Sequence, residues 1–127
     1  MQNRHLFEYA IIRVVPRVER EEFINVGVIL YCAKEKFLKC RFEVNEPRLL
    51  AFNCEVDAAI ILANLNAIDK ICCGGKEAGA IGQLDLASRF RWLTATRSTV
   101  VQASKVHPGF CSNADETLTQ LFNKMVL

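Results

Sequence analysis

Several things are missing from this chain, and each absence removes a class of function. No apolar run approaches the roughly 18 residues of a membrane-spanning helix, so no membrane role is expected. Sixteen Lys and Arg stand against fourteen Asp and Glu, a formal charge of +2, which leaves no strong overall field and no strong nucleic-acid signal. There is no Cys-x-x-Cys pair and there are only two histidines. A zinc site takes four converging ligands, usually in closely spaced pairs, so no metal is expected, and nothing in the sequence asks for another cofactor. No Gly-x-Ser-x-Gly elbow occurs, and no short motif pairs a nucleophile with a nearby histidine. Gly74, Gly75, Gly79 and Gly82 fit neither the Walker spacing nor the dinucleotide fingerprint, and they follow a helix where those motifs follow a strand, so they read as a linker. Repeats and low-complexity tracts are absent too.

The first residues, Met-Gln-Asn-Arg-His-Leu-Phe-Glu, lack the apolar stretch of a signal peptide, and a cytoplasmic location is the expectation. In that compartment the six cysteines, at 32, 40, 54, 72, 73 and 111, are expected to be reduced and to pack mainly as small hydrophobes. Cys72 and Cys73 are adjacent at a helix end, where one can be buried while the other faces the loop.

What is present describes an ordinary folded domain. At 127 residues, 51% hydrophobic and 24% charged, the chain can bury roughly two thirds of its unfolded surface, and residues 1–127 read as one domain. Phe7 to Val15 is an apolar, β-branched run ended by Pro16. Phe23 to Ala33 is a second, nearly continuous one, suited to a strand covered on both faces. After the short link Lys34-Glu35, residues Phe37 to Val44 alternate apolar with charged, which predicts a half-exposed strand in a hairpin with the second. Asn45 and Pro47 open a helix, and a long helix from about Cys54 to Cys73, capped by Asn53, carries Ile61, Leu65, Ile68 and Cys72 on one stripe before Gly74 stops it. Asp85 caps a short helix, Thr99 to Ala103 reads as a fourth strand, and Asn113 with Glu116 forms a capping box for a final helix with Leu118, Leu121, Phe122, Met125 and Val126 on its apolar face. The expected fold is α+β, an antiparallel sheet of three to four strands packed against two main amphipathic helices.

Three segments carry candidate site residues. Between Asp85 and Asp115 there is no acid, while Arg89, Arg91 and Arg97 lie near Phe90, Trp92 and Ser98. Guanidinium forks match phosphate and carboxylate geometry. In the structural alternative, Phe90 and Trp92 enter the core and the arginines are solvated or pair with Glu19, Glu21 and Glu22. His107, before Pro108-Gly109, can titrate near neutral pH, or can simply belong to a turn. In Glu22-Phe-Ile-Asn25-Val-Gly27, Asn25 interrupts an apolar strand and needs partners as a hydrogen-bonding hub or a cleft residue. Gly27 marks a bulge or a close backbone approach. Arg13 raises the same question in the first strand, where a buried pair with Glu22 is one solution.

Taken together, Tyr9-Ala-Ile-Ile-Arg13-Val-Val-Pro16, Glu21-Glu-Phe-Ile-Asn25-Val-Gly27-Val, Arg89-Phe-Arg-Trp92-Leu, Arg97-Ser98, Ser104 and His107-Pro-Gly109 resemble the bacterial family catalogued as domain of unknown function 3037. The resemblance spans nearly the whole chain. It implies a small bacterial protein without an established activity, and, through genes that neighbour those of HipA-type kinases, a kinase-type protein partner. Two functions follow as expectations. One is a non-enzymatic binding or regulatory module acting with such a partner. The other is an enzyme or sensor for a phosphorylated or nucleic-acid ligand, which requires the arginines and His107 to meet Asn25 or Glu22 in one cleft.

Overall fold

The most apolar stretches of the chain form the two central strands, β1 (His5–Val14) and β2 (Ile24–Cys32), which pair antiparallel. The structure, a computed structural model, describes residues 4–95, 97 and 99–127. β3 (Phe37–Phe42) extends the hairpin beyond β2. On the other side of β1 two short strands run end to end: β4 (Val101–Ala103) opposite Ile12 to Val14, and β5 (His107–Cys111) opposite His5 to Tyr9. Among the described residues the sheet therefore has five strands, in the order β3-β2-β1-β4 with β5 also on β1, one more than the upper expectation. The extra strand is the segment read as a turn. His-Pro-Gly has turn composition, but a proline is tolerated in a strand that pairs on one side only.

Among the described residues four helices cover the sheet: α1 (Glu46–Phe52), α2 (Ala58–Cys73), α3 (Leu86–Leu93) and α4 (Ala114–Met125). The caps at Asn45, Asp85 and Asn113 are formed, with side-chain oxygens accepting from the N–H groups of Arg48, Ser88 and Glu116. α2 starts at Ala58, later than expected, because Asp57 accepts from Ala59 and Ile60 N–H at 3.0 and 3.3 Å. Asn53 instead holds the preceding turn through Glu55 N–H at 2.8 Å. Gly74, at φ 78, ends α2 as a glycine C-cap.

The sheet is covered on both sides, which explains why β1 and β2 read as nearly unbroken apolar runs. On one face Ala10, Ile12, Val14 and Ile29 pack with Leu49 of α1, Ile61 and Leu65 of α2, and Phe90 and Leu93 of α3. On the other, Phe7, Ile11, Val28, Leu30 and Cys32 pack with Leu118, Phe122 and Val126 of and beside α4. Phe90 is fully buried and stacks on Tyr31 at 5.4 Å, a burial worth about 1.5–3 kcal/mol. Four of the six free cysteines are buried, Cys72 among them, while Cys73 is exposed.

Two irregularities shape the sheet. Between Ile12 and Arg13 the β1–β2 register shifts, so that Val26 bulges out of the ladder beside Gly27. A Cβ at Gly27 would lie 2.8 Å from the Arg41 carbonyl oxygen and 2.9 Å from Phe42 Cβ, so this glycine serves a close approach of β2 to β3. The second irregularity separates β4 from β5. From Ala103 to His107 the chain advances four residues while β1 advances three, from Ile12 to Tyr9. Ser104 fills the break: its N–H donates to the Ile11 carbonyl and its Oγ accepts from the Ile11 N–H, both at 2.8 Å.

Candidate functional site

The arginines of the acid-free window are held by their own fold. Arg89 is buried, and its guanidinium donates to the carbonyls of Ile71 and Cys72 at 2.9 Å and of Leu84 at 3.0 Å. It thereby satisfies carbonyls in the last turn of α2, where the helix dipole favours a cation. Arg91 makes a two-pronged ion pair with Glu8 at 2.8 and 2.9 Å, and that hydrogen bonding raises its pKa. Arg97 lies 4.0 Å over the Trp92 ring and donates to the Trp92 carbonyl. None of the three pairs with Glu19, Glu21 or Glu22, and Trp92 does not enter the core: it is 40% exposed. Ser98 lies outside the described residues.

The remaining candidates fall elsewhere. Asn25 acts as the hub expected of a buried amide: its Nδ2 donates to the Met125 carbonyl at 3.1 Å, and together with Arg48, which donates to Val126, it ties down the end of α4. Arg13 is the cross-strand neighbour of Asn25, and the anticipated pair with Glu22 does not form. Its guanidinium instead covers the Phe23 ring at 3.8 Å, and burial lowers its pKa. Arg13 Nε and Asn25 Oδ1 are buried without a protein partner. Glu22 pairs with Arg20, whose hydrogen bond lowers the Glu22 pKa, at the edge of an open polar hollow of about 590 Å³ shared with Arg17. His107 is exposed on β5, against Tyr9 at 5.3 Å. Arg89, Arg91 and Arg97 thus belong to the layer of α1 to α3, and Arg13, Asn25 and His107 to the α4 side, with the sheet between them.

Concave apolar surface lies along α2 instead. One hollow of about 270 Å³ is lined by Pro16, Val56, Ile60, Ile61 and Val100, with Glu55 and Asp57 at its rim. A second, of about 280 Å³, is lined by Asn64, Ala67, Ile68, Ile71, Trp92, Arg97 and Val101. Ile60, Asn64, Ala67, Ile68 and Ile71 recur at helical spacing, so the two hollows follow one side of α2, facing Arg97 and Thr99 to Val101. Ile60 is 56% exposed although its neighbour Ile61 is fully buried. The groove is polarised, with carboxylates near one end and a guanidinium near the other.

Sequence reading also passed over Glu35, which it took as part of a link. Its carboxylate accepts from His5 Nδ1 at 2.7 Å and from the Ala114 N–H at 3.1 and 3.2 Å, and the His5 hydrogen bond, then that N–H, lower its pKa. Nothing local marks this residue, because its partners come from β1 and from the start of α4.

Fold and site define a class: an α+β protein whose five-stranded antiparallel sheet lies between a three-helix layer and a single helix, with polar candidates bound into the scaffold and an apolar groove along α2. The chain belongs to the family described as Protein of unknown function (DUF3037), whose family model matches residues 9–126. No curated protein and no solved structure matches it.

Proposed function

We propose that this protein is a binding module, without catalytic chemistry of its own, that receives a segment of a protein partner in the groove along α2. The observation that carries this reading is the polarised apolar groove, with Ile60, Trp92 and Val100 exposed along it. Its occupant is an amphipathic segment with apolar side chains for the two hollows, a basic group toward Glu55 and Asp57, and an acidic group toward Arg97. Grooves of this kind read anchors at regular spacing on one face of a bound segment. A HipA-type kinase is the partner to try first, from the family resemblance.

The alternative, a phosphate-bearing ligand held by the arginines and His107, is disfavoured by their separation and by the intrachain partners of Arg89 and Arg91. Binding between the purified chain and the kinase, measured by calorimetry, separates the two. Under the groove reading Ile60→Asp weakens binding at least about tenfold, since burying an unpaired carboxylate in an apolar contact is costly. Its thermal stability is unchanged because Ile60 is exposed. Binding that ignores Ile60→Asp, or thermal stabilisation by nucleotides or phosphosugars that Arg97→Ala abolishes, would overturn it.

A further inference from the structure

The end of the sheet where β1 begins and where β2 and β5 finish holds four groups of metal-ligand chemistry. His5 Nδ1, Cys32 Sγ and a Glu35 carboxylate oxygen all lie within 4.8 Å of one another. Glu35 Oε2 is 2.7 Å from His5 Nδ1, 3.9 Å from Cys32 Sγ and 3.8 Å from Cys111 Sγ. We propose that His5, Cys32, Glu35 and Cys111 form a zinc site.

Dimensions, ligand chemistry and scaffold support it independently. Zinc binds sulfur at about 2.3 Å and nitrogen or oxygen at about 2.0–2.2 Å, so a tetrahedral site spaces its ligand atoms roughly 3.3–3.8 Å apart. The thiols stand 3.9 and 3.8 Å from the carboxylate, close to that spacing; the His5–Glu35 pair has to open by roughly half an ångström, and the Cys111 thiol, which stands outside the mutual 4.8 Å of the other three, has to turn toward them. Two thiols, an imidazole and a carboxylate suit a borderline-soft ion. A carboxylate needing only hydrogen bonds would be better served by hydroxyls, because S–H is a weak donor. Cys32 is fully buried and Cys111 is 8% exposed, while the side chains of His5 and Glu35 are 18% and 24% exposed, so the thiols form the floor and the harder ligands the mouth.

The scaffold is rigid where this matters. His5 and Cys111 are register partners in the β1–β5 ladder, and Cys32-Ala-Lys-Glu35 spans the turn between β2 and β3. That spacing equals a zinc-binding Cys-x-x-Cys with a carboxylate in place of the second thiol, which is why no cysteine motif announces the site. The Ala114 N–H orients the carboxylate from outside, as the outer contacts of metal ligands do. Binding one Zn²⁺ releases the two thiol protons to solvent, takes the neutral imidazole through Nδ1 as the tautomer with its proton on Nε2, and oxidises nothing.

The test uses the reduced chain freed of metal. One equivalent of Co²⁺ gives thiolate-to-metal charge-transfer absorption and the strong visible bands of a tetrahedral centre, and Zn²⁺ bleaches them. X-ray absorption of the zinc-loaded wild type shows two sulfurs at about 2.3 Å and two lighter ligands at about 2.0 Å. Cys32→Ser and Cys111→Ser each weaken zinc binding by about 100-fold or more, while Cys54→Ser and Cys73→Ser leave it unchanged. The wild-type spectra need no variant to fold. A folded wild type without thiolate–Co²⁺ absorption, a zinc shell without sulfur, or binding that survives loss of both Cys32 and Cys111 would overturn the assignment.

Discussion

Arg89 offers the sharpest choice between a residue that binds a ligand and one that holds the fold. Replacing it with Met keeps the length of the side chain and removes three N–H···O=C bonds, to Ile71, Cys72 and Leu84. A hydrogen bond to a charged donor contributes about 1.5–3 kcal/mol net, and bonds made by one guanidinium do not add fully. The three carbonyls also lose their partner. The expected loss is about 3–5 kcal/mol, a large part of the 5–15 kcal/mol typical of a domain, and a fall in Tm of about 10–20 °C. Urea denaturation followed by circular dichroism should show the midpoint moving with little change in slope. Arg91→Ala, which breaks a pair open to solvent, should cost no more than about 1 kcal/mol. Gly74 supplies a second check. A Cβ there would lie 2.6 Å from Arg89 Nη1, so Gly74→Ala should be severe in the wild type and milder beside Arg89→Met, where the positive φ and the Gly82 carbonyl oxygen at 3.2 Å remain. An Arg89→Met protein within about 1 kcal/mol of wild type would refute the structural assignment.

Two further outcomes follow. Ser104→Ala removes the acceptor of the Ile11 N–H at the break between β4 and β5; it should cost about 1–2 kcal/mol and speed hydrogen exchange of the Ile11 amide by about tenfold if that bond opens locally. Asp85 caps α3, and the Ser88 N–H bond to its carboxylate lowers its pKa. A depressed carboxylate pKa contributes stability that is present above the unfolded value near 4 and is lost as pH falls through the folded value. Urea midpoints should therefore drop more between pH 6 and pH 3 for the wild type than for Asp85→Asn, and equal drops would contradict the cap.

The elements that announced themselves did so through local chemistry. Apolar runs marked β1 and β2, alternation marked β3, and Asn45, Asp85 and Asn113 marked helix starts, because a cap interacts within three residues of itself. What stayed hidden depends on distant chain. β5 is a strand because β1 offers it an edge, against the turn composition of His107-Pro108-Gly109. Asn53 and Asp57 both have capping chemistry, and the path of the chain after α1 decides between them. The site was less legible than the fold. An acid-free window looks like a ligand surface until Glu8, 83 residues away from Arg91, and the carbonyls at the end of α2 are in place. Cys32 and Glu35 share one turn, but His5 and Cys111 are far from them in sequence, and only the sheet gathers the four.

The break at Ser104 has a consequence in parity. Side chains alternate between the faces of a sheet, so an odd insertion reverses the sense of everything beyond it. The one extra residue between Ala103 and His107 turns His107, Gly109 and Cys111 toward α4, where Cys111 joins Phe7 and Leu118 and meets Glu35. Deleting one residue from 104–106 would leave two residues opposite Ile11 and Ala10 and keep His107 opposite Tyr9 in an unbroken ladder, whereas deleting two would present the strand inside out, with Phe110 in place of Cys111 among the buried residues. An unbroken ladder takes an even number of connecting residues here, and the break at Ser104 is what lets an odd number serve, a kind of information that lies in the count of residues and not in their identities.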